Sequence, residues 1–183
     1  MRVLPKCRAV LLLGLLPLAL TVIVAAAAAA QSAAESPANP VDARMSGVPF
    51  WASGPRDMWI AIDTGKLGES ALWHFDGVMW SGTQVGPVSV AALWGSGPRD
   101  VWAVGSVSES ISSTEGAVLH WNGTTWSRVP TPVSQLLRFV GGCSASDVWA
   151  IGTVPEEGQP PAVLHWDGRS WTNLSGRVAF GAS

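Results

Sequence analysis

Asp100-Val101-Trp102-Ala103-Val104-Gly105, followed after an insertion by Val118-Leu119-His120-Trp121-Asn122-Gly123 and Trp126, decides the reading of this chain, because both stretches occur three times. The first recurs as Asp57-Met58-Trp59-Ile60-Ala61 and as Asp147-Val148-Trp149-Ala150-Ile151-Gly152. The second recurs as Ala71-Leu72-Trp73-His74-Phe75-Asp76-Gly77 with Trp80, and as Val163-Leu164-His165-Trp166-Asp167-Gly168 with Trp171. The aspartates are 43 and 47 residues apart, and the histidines 46 and 45. Constant anchors with variable stretches between them are how copies of one structural unit behave.

Each copy divides into four short strands. In the second copy these are about Val88 to Trp94, Val101 to Gly105, Ala117 to Trp121 and Thr125 to Val129. Val, Ile and Trp suit a pleated surface. Trp102 and Val104 face one way and Val101 and Ala103 the other, and both sets are apolar, as a sheet packed on both faces requires. Gly97-Pro98-Arg99-Asp100 reads as a turn, with the Asp100 carboxylate expected to accept from nearby backbone N–H groups. Asn122-Gly123 reads as a two-residue type I′ hairpin turn, with Asp76-Gly77 and Asp167-Gly168 in the same place. The insertions Ser106 to Glu115 and Pro155 to Pro161 read as loops. A helix is excluded, since no 12-residue window here combines a 3.6 period with freedom from Gly and Pro.

Four strands per unit at a period near 45 residues is the pattern of a propeller blade. The fold class is therefore all-β, with about three four-stranded, β-propeller-like blades at 45–87, 88–133 and 134–176. A β-sandwich is the rival, but it has no need to repeat the same anchors. Propellers close with four to eight blades. Three blades leave a partial or an assembling propeller, and three readings stand: a piece of a longer product, two copies making a six-bladed ring, or an open arrangement. Arg177 to Phe180 would begin a fourth blade or complete an earlier one.

These motifs resemble the repeats of secreted bacterial kelch-like or galactose-oxidase-like β-propeller proteins, over about Val48 to Ser175. The resemblance implies a propeller and little about function. The copper and modified-tyrosine chemistry of galactose oxidase is not implied, because the chain has no tyrosine. The Asp-Gly-x-x-Trp hairpins are also similar to sialidase Asp-box turns, but the glycine spacing differs and no arginine triad with a tyrosine nucleophile accompanies them.

Outside the repeats, residues 1–30 read as a signal peptide or an N-terminal membrane anchor. Arg2, Lys6 and Arg8 precede the uncharged run Ala9 to Ala30, and Ala25 to Ala30 form a small-residue exit. Cleavage near Ala30 or Ala34 fits the small-residue rule, while the 22-residue run, left uncleaved, is long enough to cross a bilayer. Residues 31–44 read as a flexible Ala/Ser/Pro linker, and 45–183 as the repeat domain. The location is then secreted or cell surface, or anchored by the uncleaved segment.

Three of the eleven basic residues lie in the export segment, so cleavage would leave eight against thirteen acidic ones and move the formal charge from -2 to -5. With no basic run, nucleic acid is excluded as a partner. All eleven tryptophans lie after residue 30 and need a core or a binding surface. Cys7 falls in the export segment, so after cleavage Cys143 would be the only cysteine, read as a buried, inert thiol.

The repeat anchors Asp57, Trp59, His74, Trp80, Asp100, Trp102, His120, Trp126, Asp147, Trp149, His165 and Trp171 are the candidate site residues. Three histidines with carboxylates near them have the composition of a metal site. Each, however, holds the same place in its own repeat, which favours one local structural task per blade. The aspartates read as turn residues, and the tryptophans after the hairpins as inter-blade packing rather than sugar-stacking platforms. No catalytic, cofactor or metal motif is found, and no cofactor is implied. The expected function is recognition or scaffolding outside the cytoplasm, without catalysis, binding a protein or glycan through blade-edge loops. One alternative is a fragment of an exported polysaccharide-active hydrolase or lyase, with a carboxylate pair about 5 to 9.5 Å apart at a channel mouth. The other is a self-assembling structural repeat protein.

Overall fold

The computed structural model describes residues 47–110, 113–153 and 160–177, all within one compact unit. The export segment and the linker lie outside the described residues, as do most of the Pro155 to Pro161 insertion and the end of the chain from 178. No described helix is long and apolar enough to cross a membrane.

The protein is all-β, built as three four-stranded antiparallel sheets. Blade 1 contains β1 (Phe50–Gly54), β2 (Asp57–Asp63), β3 (Ser70–Phe75) and β4 (Trp80–Gln84). Blade 2 contains β5 (Val88–Gly97), β6 (Asp100–Ser110), β7 (Ser113–Trp121) and β8 (Trp126–Arg128). Blade 3 contains β9 (Leu137–Ser144), β10 (Asp147–Gly152), β11 (Val163–Trp166) and β12 (Trp171–Asn173). Within each sheet the strands lie in chain order, as a simple up-and-down meander. Three separate sheets with the same topology are propeller-like blades, and the two-sheet sandwich does not occur.

The register explains why the anchors recur. Trp59 pairs with His74, Trp102 with His120 and Trp149 with His165. Directly opposed residues in an antiparallel pair share a face. Each tryptophan and its histidine therefore project from one face of the blade, which in blades 1 and 2 is the face turned to the next one. Val101, Ala103 and Leu119 project from the opposite face, toward blade 1. Two apolar clusters result. One joins Trp59, Ala61 and Leu72 of blade 1 to Val101, Ala103 and Leu119 of blade 2. The other joins Trp102, Val104 and Val118 of blade 2 to Val148, Ala150 and Leu164 of blade 3. Blade 2 is thus covered on both faces, which is why Val101, Trp102, Ala103 and Val104 are all buried in succession.

Two local expectations are corrected. The insertion Ser106 to Glu115 is largely not a loop. It lengthens the β6–β7 hairpin, with Val107 opposite Glu115, Ser108 opposite Thr114 and Ser110 opposite Ser113. The Asn122-Gly123 connection is not a two-residue turn. Trp121 pairs with Trp126, which leaves four residues between them. Asn122 N–H donates to Thr125 O at 3.3 Å, and Asn122 Oδ1 accepts from the N–H groups of Thr124 and Thr125, each at 3.0 Å, so backbone and side chain close the loop together. Gly123 takes a φ of 93°, as Gly77 and Gly168 do in the other blades.

Candidate functional site

The repeat anchors form the same lock three times. His74 Nε2 donates to Asp57 Oδ1 at 2.6 Å, His120 Nε2 to Asp100 Oδ1 at 2.6 Å, and His165 Nε2 to Asp147 Oδ1 at 2.9 Å. The second carboxylate oxygen accepts from a serine hydroxyl four residues earlier, Ser53 in blade 1 and Ser96 in blade 2, the latter at 2.5 Å. The Asp100 carboxylate therefore ties β6 to side chains on β5 and β7. Among the described residues its partners are these side chains rather than the expected backbone N–H groups. The imidazole ring in turn lies against the indole beside it, with centroids 4.4 Å apart for Trp59 and His74 and 4.1 Å for Trp102 and His120. One aspartate thus fixes the histidine, and the histidine fixes the face of the tryptophan.

That tryptophan enters the next blade. Trp59 meets Trp121 at 4.9 Å and meets Trp126 edge-on at 5.1 Å. Trp102 meets Trp166 at 5.0 Å and Trp171 edge-on at 5.3 Å. Tilted and edge-on pairs match the positive edge of one ring to the negative face of another. Trp126 and Trp171 are accordingly packing residues between blades. Trp80 belongs to the same row of the repeat and packs against Phe75 at 5.4 Å in its own blade. Trp149 is stacked less squarely on His165, is more than a third exposed, and turns its indole N–H to Asp147 Oδ1 at 3.0 Å.

Three further contacts escaped the sequence reading. The stems of Arg56 and Arg99, and the side chain of Ser146, lie against the positive-φ glycines Gly77, Gly123 and Gly168 of their hairpins, where an added Cβ would come within 3.0 Å. The Trp121 indole N–H donates to Pro98 O at 3.2 Å. Cys143, expected to be buried, is exposed at the end of β9 and is not a free thiol. It stands in the place of Ser53 and Ser96, a correspondence visible in the aligned repeats.

The histidines are drawn to separate aspartates, one pair per blade. Among the described residues no three His, Cys, Asp or Glu side chains gather as metal ligands. The hairpin carboxylates act locally. Asp76 accepts from Met79 N–H and Val78 N–H, and these bonds lower its pKa below the ordinary 3.8. Asp167 is lowered in the same way by Ser170 N–H and Arg169 N–H.

One place open to a ligand among the described residues is the outer edge between blades 1 and 2. An open cleft of about 500 Å³ lies there, lined by Trp121, Trp126 and aliphatic side chains such as Val85 and Val88 together with Thr83, Gln84, Thr125 and Arg128. Its chemistry is indole surface beside hydroxyl, amide and guanidinium groups. The fold and these locks define a β-propeller-like repeat protein. No protein-family model, curated protein or solved structure matches the chain.

Proposed function

We propose that this chain is a non-catalytic recognition or scaffolding protein acting outside the cytoplasm, which takes its ligand at the blade edges, and that the cleft between blades 1 and 2 receives a glycan. The cleft carries this reading. Sugars present apolar C–H faces and hydroxyl edges together, and a lining that combines Trp121 and Trp126 with Thr83, Gln84, Thr125 and Arg128 offers both kinds of contact. The exported location rests on the basic start and apolar run of residues 1–30.

The five repeat carboxylates support binding over hydrolysis. Asp57, Asp100 and Asp147 are each engaged by a histidine, and Asp76 and Asp167 are held by backbone N–H groups that favour the ionised form. A lowered carboxyl is a poor general acid for glycosidic cleavage.

The test is titration of the purified protein with a panel of oligosaccharides by calorimetry. Arg128→Ala and Gln84→Ala alter the exposed rim and leave the Trp121–Trp126 packing intact. Binding that weakens about tenfold in each variant supports the reading. Binding indifferent to both substitutions, or turnover of the oligosaccharide, contradicts it.

A further inference from the structure

The two outer faces of the stack carry the unmatched halves of the contact that joins the blades inside it. Blade 3 presents Trp149, the counterpart of Trp59 and Trp102, with Phe139 exposed beside it. Blade 1 presents Phe75 and Trp80, the counterparts of Trp121 with Trp126 and of Trp166 with Trp171, with Phe50 exposed elsewhere on the same face. Among the described residues no third ring enters the Phe75–Trp80 pair as Trp59 enters the Trp121–Trp126 pair.

A second contact identifies the occupant. Inside the stack the Trp51 ring lies on Gly95 of the next blade, and the Trp94 ring lies on Gly142. A Cβ at either glycine would sit 2.8 to 2.9 Å from the indole, and closer still to the Asp100 or Asp147 carbonyl oxygen of its own blade, so that it could not be accommodated without a shift. At the outer faces both members of this contact are changed. Gly141 holds the place of Trp51 and Trp94 opposite Trp149, and Ala52 holds the place of Gly95 and Gly142 opposite Met58. A blade carrying the usual tryptophan would strike the Ala52 methyl group. A blade with glycine there, as blade 3 has, would not.

We propose that blade 3 of one copy docks on blade 1 of a second copy, with Trp149 seated against Phe75 and Trp80 and with Gly141 facing Ala52. The contact is head-to-tail, and two copies that make it twice close a ring of six blades, within the range in which propellers close. The proposal is independent of the glycan reading, since it uses other faces of the blades.

The experiment is light scattering on the full chain between about 1 and 100 µM, a range that brackets ordinary subunit affinities. A dimer is expected. Trp149→Glu should raise the dissociation constant at least about tenfold, with the circular dichroism of the strands unchanged. Gly141→Trp should do the same, because a Cβ at Gly141 meets nothing within 4 Å in its own copy and the obstacle is Ala52 of the other. Adding Ala52→Gly to Gly141→Trp should restore the dimer. A monomer throughout the range overturns the proposal, as does a dimer that ignores either single substitution or fails to recover in the double variant.

Discussion

The Trp102 ring stands at 90° to that of Trp171, 5.3 Å away in the next blade, and Trp59 holds the same relation to Trp126 one blade earlier, at 86° and 5.1 Å. Neither contact is local in sequence. Each is made by a strand of one repeat and the outer strand of the following one, so the stability of the stack is carried between repeats as much as within them.

Truncating these rings should therefore have unequal effects. Trp102 is 1% exposed and Trp149 is 37% exposed. Trp102→Ala is expected to cost about 3–5 kcal/mol. Trp149→Ala should cost about 1–2 kcal/mol in the isolated chain, because less area is lost from cover. Urea unfolding of the two variants under conditions that keep the protein monomeric checks the order. Equal losses would mean that the ring of blade 2 is not held as described.

The Asp100–His120 bond is part-buried and is backed by the stacking of His120 on Trp102. Asp100→Ala leaves the imidazole N–H without its acceptor and should destabilise by about 1–3 kcal/mol. Asp147→Ala should cost less, since the His165 bond is longer at 2.9 Å and the aspartate more open. A double-mutant cycle on Asp100 and His120 should show a coupling of at least about 0.5 kcal/mol. Additive losses would reduce the pair to two unrelated surface groups.

Acid sensitivity should be traceable to the hairpins. Asp76 and Asp167 have folded pKa values below the ordinary 3.8, set first by Met79 N–H and by Ser170 N–H respectively. A depressed carboxyl contributes stability that is fully present above its unfolded pKa and is lost as the pH falls through the folded value. The loss should thus begin below about pH 4 and deepen toward the folded value. Blade 2 already carries Asn122 at this position, with its Oδ1 on the same two N–H groups. Asp76→Asn with Asp167→Asn should keep the turns and flatten the stability profile below about pH 4. A profile as steep as that of the parent protein would place the acid-labile groups elsewhere.

At Gly105 the backbone of β5 leaves no room for a side chain on β6. A Cβ there would overlap the Ser89 carbonyl oxygen, which is backbone and has little room to move. Gly105→Ala should destabilise by about 3 kcal/mol, whereas Gly97→Ala, with open space at its Cβ, should change little. Thermal melts of the two variants make the comparison, and similar melting temperatures would contradict it.

The repeat made the sheets legible in the sequence. Trp102 with Val104 and Val101 with Ala103 alternate between two apolar faces, and that pattern alone implies a blade covered on both sides. The locks were less accessible. Asp57 and His74, Asp100 and His120, and Asp147 and His165 stand 17, 20 and 18 residues apart, and only the cross-strand register brings each pair together. The constant offset of Asp two residues before Trp, and of Trp opposite His, is the signal that could have found them. The Asn122 turn was misread because a side chain that supplies its own acceptor changes the loop length that Asn-Gly implies. The Ser106 to Glu115 stretch was read as a loop on polarity, although pairing depends on backbone groups that polar residues also possess. The contacts of Trp51 with Gly95 and of Trp94 with Gly142 join different repeats, and no local pattern announces them.

At both junctions, blade 1 to 2 and blade 2 to 3, an indole of one blade packs against two aromatic rings of the next. A double-mutant cycle on Trp102→Ala and Trp171→Ala, followed by urea unfolding, measures that contact across the boundary between blades 2 and 3. A coupling energy of about 0.5–1.5 kcal/mol is predicted for this edge-on pair. Losses that simply add would contradict the claim.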